Sequence, residues 1–451
     1  MLLTFPLLIS KDLMVSCLLF SIILTINMED NMEKIIVKGG KKLQGEVDIS
    51  VAKNSVLPII VATILNPTPI VIKNVPMLED VTVLINLLRE LECEVNFSQI
   101  TGDLIIDTSN LKEVDANSEL IRKMRASFLI MGPMLSRFGR CKISMPGGCN
   151  IGSRPIDLHL KGFKCLGIES ETGYGYVESK AKRIIGNRVY LDFPSVGATE
   201  NIMMSAVLAE GTTVIENAAE EPEIWDLARF LNSMGAKITG AGFGRITIEG
   251  VESLKKPEPF TPIFDRIEAG TFMVAAAITN SKITINGVNE QHLMPNIEKL
   301  KECGVNCIVE GNRMIVDGTG EKKPVDIKTM PYPGFPTDMQ PQMMVLLSMT
   351  PGVSVITETV FENRFMHVGE LGRMGANIKI DGKVAIVEGV SQLTGCNVKA
   401  TDLRAGAAMI LAGLVANGQT EIGEVYHIDR GYTNIEEKFV KLGADIERVT
   451  I

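Results

Sequence analysis

Leu442-Gly-Ala-Asp-Ile446, near the end of the chain, repeats Met374-Gly-Ala-Asn-Ile378, which repeats Met234-Gly-Ala-Lys-Ile238. Looser copies stand at Cys303-Gly-Val-Asn306, Leu166-Gly-Ile-Glu169 and Leu91-Glu-Cys-Glu-Val95, where Glu92 occupies the glycine position. The marks fall at 92, 167, 235, 304, 375 and 443, a spacing of 68 to 75 residues. A recurrence of that length is the signature of one supersecondary unit used repeatedly, and six units of about 70 residues account for residues 32–451. Each unit reads as a long helix rich in small residues, a turn, a β-rich run, an amphipathic helix ending in the glycine phrase, and a further strand.

The first helix of each unit is expected at Ala52 to Leu65, Ser127 to Ser136, Ala198 to Ala209, Ala269 to Ile278, Met339 to Met349 and Ala405 to Val415. These stretches carry little polar character, and a helix apolar nearly all round belongs in an interior. The strands behave differently: Arg245-Ile-Thr-Ile-Glu249 alternates polar and apolar residues, as a sheet with one wet face does. The expected fold class is therefore α/β, with buried helices inside, sheets and second helices outside, and six units grouped as two lobes of three.

Composition narrows the function. Of 451 residues, 45% are hydrophobic and 22% charged, which is globular rather than disordered or multiply membrane-spanning. The 45 Lys and Arg against 54 Asp and Glu leave a net charge of −9, which argues against nucleic acid and requires any anionic ligand to meet a local cluster of cations. Eight cysteines at 17, 93, 141, 149, 165, 303, 307 and 396 form no CxxC pair and have no histidine at ligand spacing. That pattern predicts a reduced, cytoplasmic setting with no zinc or other metal. Residues 1–31 contain an apolar run of 14, Leu13 to Ile26, shorter than the ~20 residues a membrane span needs. They are expected to be a start-site artefact or dispensable tail, with Met32 the functional start and no firm membrane association.

One segment cannot be helix or strand interior: Met145-Pro-Gly-Gly-Cys-Asn-Ile-Gly-Ser-Arg-Pro-Ile-Asp-Leu-His159. It puts Cys149 on a loop, with Arg154 five residues on to favour a thiolate, so Cys149 is the reactive candidate among the cysteines. Ser50-Val-Ala-Lys-Asn54 sets Lys53 and Asn54 at the mouth of the first buried helix, where a cation and a helix N-terminus together favour phosphate or carboxylate. Pro333-Gly-Phe-Pro-Thr-Asp338 brings an acid to the mouth of the fourth. Taken singly, Lys53 also reads as a solvated charge and Asp338 as a helix cap.

Nine motifs in order carry a resemblance: Ala52-Lys-Asn-Ser55, Met124-Arg-Ala-Ser127, Pro146-Gly-Gly-Cys-Asn-Ile-Gly152, Arg154-Pro-Ile-Asp-Leu158, Pro194-Ser-Val-Gly-Ala-Thr199, Phe335-Pro-Thr-Asp-Met-Gln340, Glu358-Thr-Val-Phe-Glu-Asn-Arg364, Thr401-Asp-Leu-Arg404 and His427-Ile-Asp-Arg-Gly431. Over residues 32–451 the chain resembles the UDP-N-acetylglucosamine 1-carboxyvinyltransferase family, enolpyruvyl transferases that open peptidoglycan synthesis. The resemblance implies a two-lobed inside-out α/β barrel, residues 32–53 joining 263–451 in one lobe and 54–262 forming the other. It implies transfer of the enolpyruvyl group of phosphoenolpyruvate to the 3-hydroxyl of UDP-N-acetylglucosamine, with no cofactor. By the same resemblance Lys53, Asn54, Arg154, Arg404 and Arg430 hold phosphoenolpyruvate, while Arg125, Arg154, Pro155, Ile156, Asp157, Leu158, Ser195, Val196, Asp338 and Val360 line the nucleotide-sugar site. Cys149 is the implied general acid and the target of fosfomycin. Lys53 and Arg430 have implied parts in catalysis, and Asp338 and Asp402 are both implied at the reacting centre, with either able to serve as base. Two alternatives stand beside this reading: a 5-enolpyruvylshikimate-3-phosphate synthase-like transferase, and a catalytically silent paralogue that binds the nucleotide sugar.

Overall fold

A computed structural model describes residues 33–112, 115–116, 125–145, 152 and 156–450 of the chain. The α/β class is what it shows, and the glycine marks explain how several of its helices stop. Gly167, Gly235, Gly304, Gly375 and Gly443 all have φ between +80° and +96°, directly after the second helix of their unit. This is the left-handed stop that glycine adopts without a Cβ penalty. Glu92 takes the same conformation, φ +66°, in the one unit where glycine is missing.

Among the described residues there are six sheets, five of four strands and one of three. In the sheet of Arg188–Tyr190, Thr212–Glu216, Arg245–Glu249 and Lys237–Thr239, the first pair is parallel and the next two are antiparallel. The other four-stranded sheets repeat that order. The three-stranded sheet of Ile70–Ile72, Leu104–Asp107 and Glu94–Phe97 gains its parallel neighbour from a single bridge between Ile72 and Phe260.

The opening of the chain supplies strands at long range. Glu33–Lys38 lies between Gln419–Gly423 and Asp445–Thr450, and Gln44–Asp48 runs parallel to Lys282–Asn286. Ile35 and Val37 point inward and are fully buried, while their neighbours face out, which is the alternation a one-sided sheet requires.

The apolar helices lie inside. Every residue from Ile267 to Ile278 in helix Arg266–Ile278 is buried, and so is every residue from Arg404 to Leu414 in helix Leu403–Val415. Gly132 lets helix Met131–Phe138 approach Val196–Ala206: a Cβ there would stand 2.5 Å from the Asn201 carbonyl oxygen. Two helices start later than their apolar patterns suggested. Arg125–Ile130 and Thr337–Met339 are 3₁₀ turns, and the α-helices begin at Met131 and Gln340. Pro133 and Pro341 lie in the first turns, where a missing N–H costs nothing, and they fix the starts.

The buried apolar residues form two clusters. One runs from Val51 to Phe260; the other joins Ile35, Val37, Leu43, Val47 and Ile49 to residues from Ile267 to Ile446. No helix among the described residues is long and apolar enough to cross a membrane.

Candidate active site

Lys53 is the first residue of helix Lys53–Ala62, and its side chain is buried rather than solvated. Its Nζ donates to Asp80 Oδ2 at 3.0 Å, and Arg430 Nε donates to Asp80 Oδ1 at 2.9 Å. Asp80 occupies the first turn of helix Glu79–Glu90, where the helix dipole also favours negative charge. Burial pushes the Asp80 carboxyl up, but Lys53 and Arg430, with their hydrogen bonds, hold it below the usual carboxylate range. Lys53 and Arg430 are 377 positions apart in sequence and share one carboxylate.

Asp338 sits in the 3₁₀ turn Thr337–Met339 and is not a helix cap. Arg364 Nη2 donates to its Oδ1 at 2.9 Å, and Arg404 Nε donates to its Oδ2 at 3.1 Å. Both arginine side chains are 1% exposed, against 27% for Asp338, so two buried cations present one reachable carboxylate. Burial alone would lower the Arg404 pKa, yet it is raised, chiefly by Asp338. The loop is pinned from behind by the buried Glu358, which accepts from Thr337 Oγ1 at 2.9 Å, Thr329 Oγ1 at 2.8 Å and the Val360 N–H at 2.8 Å.

Asp402 caps helix Leu403–Val415, its Oδ1 accepting from the N–H groups of Arg404 and Ala405 at 2.8 and 3.1 Å. Its Oδ2 is buried without a hydrogen-bond partner among the described residues. Fully buried His367 is pushed down to about 4, first by burial and opposed by Asp402, so its ring is neutral at pH 7. His427 is also lowered by burial and feels both Arg430 and Asp402, which places those two groups within electrostatic reach of one ring.

On the other side, Ser195 caps helix Val196–Ala206 by accepting from Ala198 N–H at 3.4 Å. Helix Asp157–Cys165 packs beside it: Asn201 Nδ2 and His159 Nδ1 are 3.1 Å apart, and a Cβ on Gly197 would meet the His159 ring at 3.3 Å. Ile156, Asp157 and Leu158 therefore stand at the start of a helix adjoining the one that begins with Val196. Asn54 follows Lys53 in its helix and is half-buried. Cys149, Arg154, Pro155 and the side chain of Arg125 lie outside the described residues. Gly152 is described: a Cβ there would stand 2.2 Å from Glu362 Oε2, so Gly152 lies against the turn between Val360 and Arg364.

The structure thus joins Lys53 to Arg430 and Asp338 to Arg404. Sequence reasoning assigned no role to Asp80, Arg364 or His367. Acids in a helix's first turn are common, so Leu78-Glu-Asp-Val81 carried no signal for Asp80. Arg364 and His367 sat inside or beside a quoted motif without a role.

The arrangement sets one pair of cations on Asp80 and another on Asp338, groups able to meet an anion and a hydroxyl. The family model for EPSP synthase (3-phosphoshikimate 1-carboxyvinyltransferase) matches residues 37–439. The chain belongs to this family of carboxyvinyltransferases. The transferase is 63% identical over 418 residues to UDP-N-acetylglucosamine 1-carboxyvinyltransferase 1 of Clostridium acetobutylicum, covering 93% of this chain and all of that protein. It is 64% identical, with the same coverage, to UDP-N-acetylglucosamine 1-carboxyvinyltransferase 2 of Clostridium tetani. Among solved structures, the enolpyruvyl transferase NikO from Streptomyces tendae superposes with a TM-score of 0.83 at 26% identity, covering 93% of this chain and 99% of that one. EPSP synthase from Acinetobacter baumannii, at 19% identity and a TM-score of 0.71, shares the fold.

Proposed function

We propose that this transferase moves the enolpyruvyl group of phosphoenolpyruvate to the 3-hydroxyl of UDP-N-acetylglucosamine and releases phosphate. The observation that carries the reading is the 63–64% identity, over the full length of the relatives, to proteins named for that nucleotide sugar. In this reading Lys53 and Arg430, with Asn54, Arg154 and Arg404, receive the phosphate and carboxylate of phosphoenolpyruvate. Guanidinium forks suit both groups because they pair with them through two hydrogen bonds. Arg125, Pro155, Ile156 to Leu158, Ser195, Val196 and Val360 line the nucleotide sugar.

The Cys149 thiol protonates the methylene carbon of phosphoenolpyruvate, and the sugar 3-oxygen attacks the adjacent carbon as it gains oxocarbenium character. Asp338, whose two oxygens accept from Arg364 and Arg404, orients that hydroxyl, Asp402 lies beside the reacting carbon, and one of these two carboxylates takes the hydroxyl proton as the new C–O bond forms. The Cys149 thiolate then takes back a proton from the former methylene carbon, which restores the double bond as the bond to the phosphate oxygen breaks, and the cations meet the charge of the departing phosphate. The units form two inside-out α/β lobes, 32–53 with 263–451 and 54–262; the shared strand order and the two apolar clusters support a division in two, with Val51 and the helix that Lys53 begins packing in the cluster of the 54–262 lobe. Closing of the lobes excludes water that would otherwise capture the activated carbon. Fosfomycin alkylates the same thiol.

The test is phosphate release from phosphoenolpyruvate with UDP-N-acetylglucosamine or with shikimate 3-phosphate as acceptor, with and without fosfomycin. Release only with the nucleotide sugar, abolished by fosfomycin, is the expected result. Release with shikimate 3-phosphate, or with neither acceptor, overturns the reading.

A further inference from the structure

We infer that Asp80 is a positioning residue that sets Lys53 and Arg430 side by side as one receptor for the phosphoenolpyruvate anion, and so links anion binding to the approach of the two halves of the molecule. The inference rests on the reading that Lys53 and Arg430 bind that substrate.

Asp80 is 5% exposed, and its two oxygens are divided between the two cations at 3.0 and 2.9 Å. Lys53 and Asp80 stand among residues of the apolar cluster that runs from Val51 to Phe260. Arg430 stands between Ile428 and Tyr432, which belong to the other cluster. The Asp80–Arg430 ion pair therefore crosses from one packed core to the other. Without a charge between them, an ammonium and a guanidinium this close repel, and each side chain is long enough to swing away. Asp80 removes the repulsion and fixes the two nitrogens at a separation that its own carboxylate sets. Bound this way, the trio keeps a net charge of +1 for an incoming anion. Lys53 still has two N–H donors beyond the one given to Asp80.

The other groups that bear on this trio are His427, which feels Arg430, and Tyr426, whose hydroxyl pKa is raised by burial and Glu424 and lowered by Arg430. Asp80 is the carboxylate that accepts from both cations.

The test uses the full chain with Asp80→Asn and Asp80→Glu, alongside Lys53→Ala and Arg430→Ala. Steady-state phosphate release gives KM for each substrate, and calorimetric titration of the same variants in a Cys149→Ala background, with phosphoenolpyruvate in the presence of UDP-N-acetylglucosamine, gives affinity without turnover. A hydrogen bond to a charged group is worth roughly a tenfold to hundredfold change in an equilibrium constant. Asp80→Asn is expected to raise KM and weaken the titrated affinity for phosphoenolpyruvate by about that factor, with KM for UDP-N-acetylglucosamine within about twofold of the parent. Asp80→Glu, which keeps the charge, recovers part of the loss. An unchanged phosphoenolpyruvate affinity in Asp80→Asn, or an equal rise in both KM values matching a smaller folded fraction, overturns the positioning role. If Lys53→Ala and Arg430→Ala also leave phosphoenolpyruvate affinity unchanged, the binding reading itself fails. If those two are damaged while Asp80→Asn is not, only the role of Asp80 fails.

Discussion

Replacing Asp338 with asparagine should destabilise the protein, although removing a residue at an active site often does the reverse. Arg364 and Arg404 are each 1% exposed and donate to different oxygens of this carboxylate. Each also has a buried nitrogen, Arg364 Nε and Arg404 Nη1, with no hydrogen-bond partner among the described residues. Guanidinium groups do not shed their proton, so both charges remain after the substitution. The asparagine oxygen can accept from one of them, while its NH₂ faces the donors of the other. Breaking a buried ion pair costs about 3–5 kcal/mol. Because Asp338 is 27% exposed, water takes over part of its work, and about 2–3 kcal/mol is the appropriate share. At about 2–4 °C per kcal/mol for a unit of some 200 residues, the unliganded chain should melt about 4–12 °C lower by scanning calorimetry. Turnover should fall about 10²–10⁴-fold if the carboxylate also serves the sugar hydroxyl in the transition state. An asparagine variant that melts within about 1 °C of the parent, or above it, would refute the account of two buried cations held by one acid.

Three other outcomes are expected. Glu92→Gly should stabilise the chain by about 0.5–1 kcal/mol, because a non-glycine residue at φ +66° bears a left-handed penalty that outweighs an exposed Glu92–Lys112 contact at 3.4 Å; an unchanged denaturation midpoint would speak against it. Burial pushes the Glu221 carboxyl up to about 7, against Arg266, so the folded state holds this proton more tightly than the unfolded chain. Its contribution is fully present below the ordinary carboxylate pKa of about 4.3 and is lost as pH rises through about 7, by up to about 3 kcal/mol. Urea melts between those limits should show a shallower decline in Glu221→Gln, and part of the slope should persist because buried Glu200 is raised in the same direction; parallel slopes in parent and variant would contradict this. Cys149→Ala should abolish both turnover and mass-detected fosfomycin labelling with an unchanged melt, whereas Cys149→Asp should keep some turnover; full turnover in the alanine variant would remove the thiol from the mechanism.

The sequence by itself determined the α/β class and the burial of apolar helices such as Arg266–Ile278 and Leu403–Val415, because each depends on neighbours along the chain. The glycine phrases mark left-handed helix stops that only φ > 0 permits, and the motif at Phe335 to Gln340 already pointed to Asp338. Tertiary structure alone decided which strands Glu33–Lys38 and Gln44–Asp48 pair with and in what register, that Lys53 and Arg430 meet on Asp80, and that Arg364 joins Arg404 on Asp338. A charged residue is written the same way whether it lies in water or in a core. What distinguishes Asp80 from any first-turn acid is the desolvation it shares with two distant cations, which arises only when the chain brings them together.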